Sequence, residues 1–255
     1  MRKIRLLLEY DGTAYHGWQI QNKGVTIQGT LEERIIKITG RQSRVIGASR
    51  TDAGVHALAQ VATFGTESGL QLERIKGGLN ALLPQDIRIL NVSEVDESYH
   101  PRHNARRKYY FYLVSNQRNS SAFLHRYTWE VKQPLEVQSM IDAAECLIGK
   151  HNFSSFQGTG SDIRNPVREI FSLKIEEFDE MDFMTAHMKG KFIKIRMEAD
   201  GFLRHMARNI VGTLAEIGRG RMASHCMEEI LQARNRRLAG PNVPPNGLFL
   251  EKIVY

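Results

Sequence analysis

The feature that most restricts how this chain can fold is an order of elements, strand–helix–strand–strand–helix–strand, that can be read along it twice. "KIRLLLEY" (3–10) has the length and apolar content of a buried strand, and "DIRILNVSEV" (86–95) alternates as strands do. Between them, "TIQGTLEERIIKITG" (26–40) repeats Ile27, Leu31 and Ile35 at the spacing of a helix face. Thr30 and Glu33 have the spacing of a capping box, and Gly40 is placed to end that helix. "QLERIKGGLNALL" (71–83) sets Leu72, Ile75, Leu79 and Leu82 on a second helical face. "RVIGAS" (44–49) and "QVATFGT" (60–66) read as short strands.

The second pass runs through the strand "RKYYFYLVS" (107–115), the helix "LEVQSMIDAAECLIG" (135–149) and strands at 168–178 and 191–199. It closes with the helix "FLRHMARNIVGTLAEIG" (202–218), an extra helix at 227–234 and the strand "GLFLEKIVY" (247–255). This order is that of the ferredoxin-like unit. The expected fold is therefore α+β, with two such halves, 1–103 and 104–255, sharing a sheet. No low-complexity linker separates them around "SYHPRHNA" (98–105).

Composition narrows the function classes. A length of 255 residues, 42% apolar and 25% charged, is ample for a large core in an ordinary globular protein. The net charge of +7 favours a polyanionic partner. Cys146 and Cys226 form no metal-like pair, so free thiols in a reducing compartment are expected. In "MRKIRLLLEY" the apolar run Leu6–Leu8 stops at Glu9, too short for a signal peptide, and no stretch approaches a membrane span. The expected location is the cytoplasm, without a membrane partner.

Four segments carry candidate chemistry. In "GASRTDAGVHA" (47–57), Asp52 is either a turn carboxylate or a reactive group on a loop between two strands, with Arg50 two residues away and Gly54 suited to positive φ. In "YDGTAYHGWQIQ" (10–21), Trp18 and Gln19 suit base stacking and edge reading, or Trp18 caps the core. "HPRHNARRKYYFY" (100–112) leads Arg102, Arg106 and Arg107 into an aromatic strand, with Tyr110 and Tyr112 on one face and Tyr109 and Phe111 on the other. In "FLRHMARNIVG" (202–212), Arg204 and Arg208 are four apart, the spacing of one helix face. His100 and His103 lack the further ligands of a metal centre. "GTGSD" (158–162) only loosely resembles a phosphate loop.

Taken in order, "YDGTAYHGWQIQ", "GASRTDAGVHALAQVATF", "HPRHNARRKYYFY", "HNFSSF", "GFLRHMARNIVG" and "GLFLEKIVY" closely resemble the tRNA pseudouridine synthase A family. The resemblance implies two α+β halves around a continuous, mostly antiparallel sheet with a basic central cleft, a homodimer, and tRNA as substrate. It implies isomerisation of uridine at positions 38 to 40 of the anticodon arm, with no metal and no cofactor. By matched motif, Asp52 resembles the family's catalytic aspartate, Tyr110 its active-site tyrosine, Arg208 the arginine paired with the aspartate, and Arg50 the arginine that displaces the target base. Ser49 stands where many members have glycine. Arg102, Arg106 and Arg107, with Arg219 and Arg221, are expected phosphate contacts. Two other classes compete: a non-catalytic RNA-binding protein with two ferredoxin-like halves, which leaves Asp52 and Arg208 without a purpose, and a small-molecule acid–base enzyme, which leaves the basic surface without one.

Overall fold

The computed structural model describes residues 1–160 and 165–255. It is a mixed α+β protein made of two compact units, Met1–Lys108 with Phe249–Tyr255, and Tyr109–Leu248. The last strand thus belongs with the first unit, whereas the sequence division placed it with residues 104–255.

In the first unit the strands are β1 (Arg2–Tyr10), β2 (Ile46–Gly47), β3 (His56–Thr66) and β4 (Ile87–Val95), with helices α1 (Ile27–Thr39) and α2 (Leu72–Leu82). β1 lies between β3 and β4, antiparallel to both, and β2 pairs antiparallel with β3. Phe249 and Leu250 add a short parallel pairing beside His56 and Ala57. The alternation of β1 places Ile4, Leu6, Leu8 and Tyr10 in the core, where Ile27, Leu31 and Ile35 of α1 and Ile75 and Leu79 of α2 are also buried. The cap of α1 differs from expectation: Thr26, not Thr30, accepts the Gly29 N–H at 3.2 Å, and Gly40 ends the helix at φ 77°. The earlier hydroxyl won because Thr26 is the residue left in extended geometry.

The second unit holds β5 (Arg107–Ser115, from Tyr109 on), β6 (Trp129–Glu130), α3 (Val137–Ala144), β7 (Gly149–Asn152), β8 (Val167–Phe183), β9 (Ala186–Ala199), α4 (Met206–Gly218) and α5 (Cys226–Ala233); β10 (Leu248–Val254) leads back to the first. Its strands neighbour in the order β5-β9-β8-β7, with β6 parallel on β5. Two helices are shorter than their periodicity implies. α3 gives way to one 3-10 turn at Glu145–Leu147, because Gly149–Asn152 is taken up by antiparallel pairing with β8 and leaves Ile148 exposed. α4 begins at Met206, since His205 sits in the left-handed region at φ 61°. Arg204 therefore precedes the helix and shares no helix face with Arg208. Ser161 and Asp162 of "GTGSD" lie outside the described residues.

Candidate active site

In the first unit, Asp52 is carried by the loop that links β2 to β3, a rigid support formed by the antiparallel Ile46–Thr63 and Gly47–Ala62 pairs. Exposure alternates along it: Arg50 is exposed and Asp52 half-buried, while Thr51 between them is buried. The loop closes on itself where Val55 N–H donates to the Asp52 carbonyl at 3.2 Å, and Gly54 supplies the turn at φ 77°. Gly54 N–H donates to the Tyr15 carbonyl, and Trp18 N–H to the Thr51 carbonyl at 3.0 Å. The segment "YDGTAYHGWQIQ" is thus a brace laid along the Asp52 loop. Gly17 is required in it: its φ is 85°, and a Cβ there would stand 2.6 Å from the Thr51 carbonyl oxygen.

Trp18 and Gln19 both have partners within the unit. Trp18 is 1% exposed, its ring tilted against Tyr10 at 6.3 Å, so the indole packs in the core. Gln19 donates its amide to Gln28, whose own amide holds the Val45 carbonyl at 3.0 Å. Arg102, Arg106 and Arg107 are all exposed at the end of this unit, where a polyanion can reach them. Lys108, next in line, is buried and donates to the Ala48 carbonyl at 2.8 Å, just ahead of the Asp52 loop. His100 and His103 serve a local turn: the His100 Nδ1 accepts the N–H groups of Arg102 and His103. Among the described residues one mixed set of potential metal donors converges, His225, Cys226 and Glu229 at the start of α5, within 4.8 Å of one another.

In the second unit, Tyr110 is buried and meets Phe202 edge-on at 4.9 Å, so the structure brings the aromatic strand and the "GFLRHMARN" segment together. Tyr112, on the same face, donates to the Pro244 carbonyl at 2.8 Å. On the opposite face Tyr109 donates to Glu198 at 2.8 Å, with Arg196 over its ring, and Lys194 lies over Phe111. Arg208 sits in the first turn of α4 and its Nε–H donates to the Val243 carbonyl at 2.7 Å, which fixes the guanidinium from one side. The left-handed His205 lets Arg204 turn away to hold the loop before it: its carbonyl accepts Gly158 N–H, and its guanidinium donates to Thr159 and Gly160. Arg219 and Arg221 both pair with Glu216, and Arg219 lies over Trp129. Both arginines are thus anchored at the end of α4, Arg221 with its side chain 57% exposed.

One residue of consequence was passed over in the sequence. Gln60 is 0% exposed in β3, a lone amide in the apolar run "ALAQVATF", and a single polar residue at a core position of a strand is the signal that marks it.

A family model described as tRNA pseudouridine synthase matches residues 7–104 and 143–255. Curated relatives named tRNA pseudouridine synthase A include those of Thermodesulfovibrio yellowstonii, 42% identical, and of a Thermoanaerobacter species, 41% identical, each over all 255 residues and the whole of the relative. A relative from Clostridium perfringens named tRNA pseudouridine synthase A 2 is 43% identical over the same span. Among solved structures, a chain of a Cbf5-Nop10-Gar1 complex aligns at 12% identity over 72% of this chain and 38% of that one; its TM-score of 0.32 is too low to bear on the fold.

Proposed function

The chain belongs to the tRNA pseudouridine synthase family, and from that premise we propose that it isomerises uridine to pseudouridine in tRNA, at positions 38 to 40 of the anticodon arm, with Asp52 as the catalytic carboxylate. The observation that carries the reading is the end-to-end match to curated tRNA pseudouridine synthase A relatives. It is supported by the loop geometry, which leaves Arg50 and Asp52 outward while burying Thr51 between them.

The reaction breaks the N1–C1′ glycosidic bond, turns the uracil and joins its C5 to C1′. An ionised Asp52 serves any of three openings: attack on C1′, attack on C6 of the uracil, or removal of the C2′ proton. The Arg208 guanidinium, fixed by Val243, is read as the partner that keeps the carboxylate ionised and oriented. Tyr110 is read as stacking on the extracted base and assisting loss of the C5 hydrogen. Unstacking the target base costs a few kcal/mol, and Arg50 filling the vacated place offsets part of it. Arg102, Arg106 and Arg107 are read as phosphate contacts and Gln19 as a polar neighbour of the RNA. The same reading takes the two units as ferredoxin-like halves and the protein as a cytoplasmic homodimer. Among the described residues no helix is long and apolar enough to cross a membrane.

The test is release of tritium from tRNA labelled at uridine C5, since forming the new C–C bond expels that hydrogen, followed by carbodiimide mapping of the product. Release with pseudouridine at 38 to 40 is expected; no release from a good substrate overturns the reading. Sedimentation at micromolar concentration reads the dimer, and a monomer there counts against it.

A further inference from the structure

Beneath the Asp52 loop lies a buried polar chain to which the matched motifs assign no role. Gln60 uses its whole amide there. Its Oε1 accepts the N–H groups of Ser49 and Val61, both at 3.2 Å, and its Nε2 donates to the Ser49 carbonyl at 2.7 Å and to the Tyr10 hydroxyl at 3.4 Å. With its oxygen accepting from Gln60, Tyr10 has its own proton free to give, and Thr51 Oγ1 is 2.8 Å away. Gln60, Tyr10 and Thr51 are 0%, 4% and 6% exposed. Burial pushes the Tyr10 phenol up to about 12.

The segment before Asp52 is held at Ala48, Ser49 and Thr51. Ser49 is held at both main-chain groups by Gln60, Thr51 at its side chain by Tyr10, and Ala48 by Lys108 and by Val61. Arg50 and Asp52 are what this leaves facing out. Burial follows these grips: Thr51 is buried, Arg50 beside it is exposed and Asp52 is half-buried. A fully satisfied buried network resists rotation of that segment more than apolar packing would, because each displaced group loses its partner away from water.

Resting on the isomerase reading above, we propose that Gln60, Tyr10 and Thr51 are positioning residues for catalysis: they lock the register of the loop so that Arg50 and Asp52 are presented together. The three act through the backbone and touch no substrate. Their removal therefore lowers the chemical rate while leaving phosphate contacts, and hence tRNA affinity, as they were.

The experiment compares Tyr10→Phe, Thr51→Val and Thr51→Ser in single-turnover tritium release at saturating enzyme, with tRNA affinity measured alongside. Tyr10→Phe and Thr51→Val are expected to slow release about tenfold to hundredfold, the effect of misplacing a reacting group by up to an ångström. Thr51→Ser, which keeps the hydroxyl, is expected to restore the parent rate. The Tyr10→Phe/Thr51→Val double variant should be no slower than the worse single, since both lose one shared bond. tRNA affinity should stay within about twofold, as expected of groups that position and do not bind. Parent-like rates in both single variants, equal loss in Thr51→Ser and Thr51→Val, or a loss carried wholly by affinity would each overturn the proposal. The clamp is also read without turnover: amide exchange at Ser49 and Val61 should be slow in the parent and faster in Gln60→Met. Fast exchange in the parent would refute the clamp, whereas a parent that released no tritium would refute the isomerase reading alone.

Discussion

Replacing Gly17 with alanine perturbs the Asp52 loop from the opposite side, without touching a charged group. Two costs arise. The residue stands at φ 85°, where a Cβ is disfavoured by about 1 kcal/mol. The new methyl would meet the Thr51 carbonyl oxygen at 2.6 Å and the Ala53 nitrogen and Asp52 carbonyl carbon at 3.0 Å, all main-chain atoms. Reaching ordinary contact at 3.4 Å requires the brace and the loop to part by about 0.8 Å (3.4 less 2.6), and the 3.0 Å bond from Trp18 N–H to the Thr51 carbonyl runs through the same gap. With that bond weakened, the total is about 2 kcal/mol, or roughly 4–8 °C in melting temperature for a chain of this length. A displacement of that size at a reacting carboxylate corresponds to about a hundredfold in rate. The assay is single-turnover tritium release beside thermal denaturation and tRNA affinity. The expected result is a slow, less stable enzyme that binds tRNA as the parent does. A parent-like rate with a lowered melting temperature would show that the brace stabilises the fold without setting the geometry of Asp52.

Other consequences are open to measurement. Arg102→Ala should weaken tRNA binding across sequences and reduce the slope of log affinity against log salt by about 0.7–0.9, with the single-turnover rate at saturation kept. Arg208→Lys keeps the charge but loses the Nε–H bond to Val243, and should slow single-turnover release by about tenfold or more with unchanged tRNA affinity. Tyr10 titrates at about 12 in the fold against 10.0 when solvated, so its neutral form contributes stability that is complete below pH 10 and is lost as pH rises from 10 to 12. The stability of the parent relative to Tyr10→Phe should therefore fall by about 3 kcal/mol across that window, as read by denaturant unfolding at each pH.

Periodicity and turn chemistry made most elements of the fold legible. β1 and α1 read correctly because each has one apolar face and a plain ending, Gly40 in the case of α1. Where the sequence misled, a tertiary contact overrode a local pattern. "SMIDAAECLIG" continues a helical stripe to Ile148, yet pairing with β8 claims Gly149–Asn152 and stops the helix early. "FLRH" fits the helix that follows, but the left-handed His205 cuts it off and sends Arg204 to the loop at 158–160. Trp18 has the neighbours of a stacking residue, and only its burial shows that it fills the core. The position of Asp52 was visible as a polar loop between strands; the support beneath it was not. Tyr10 is 41 residues from Thr51 and 50 from Gln60 along the chain, and β1–β3 pairing brings together the strands that carry Tyr10 and Gln60.

The central claim is that Asp52 carries out uridine isomerisation in tRNA, and Asp52→Asn tests it most directly. The side chain keeps its size and loses its charge, so folding and RNA affinity should be retained. Single-turnover tritium release from uridine-labelled tRNA should be brisk in the parent and absent in Asp52→Asn, with tRNA affinity within about twofold, as for loss of an interaction made only in the transition state. Full release by Asp52→Asn would remove the carboxylate from the mechanism and contradict the account.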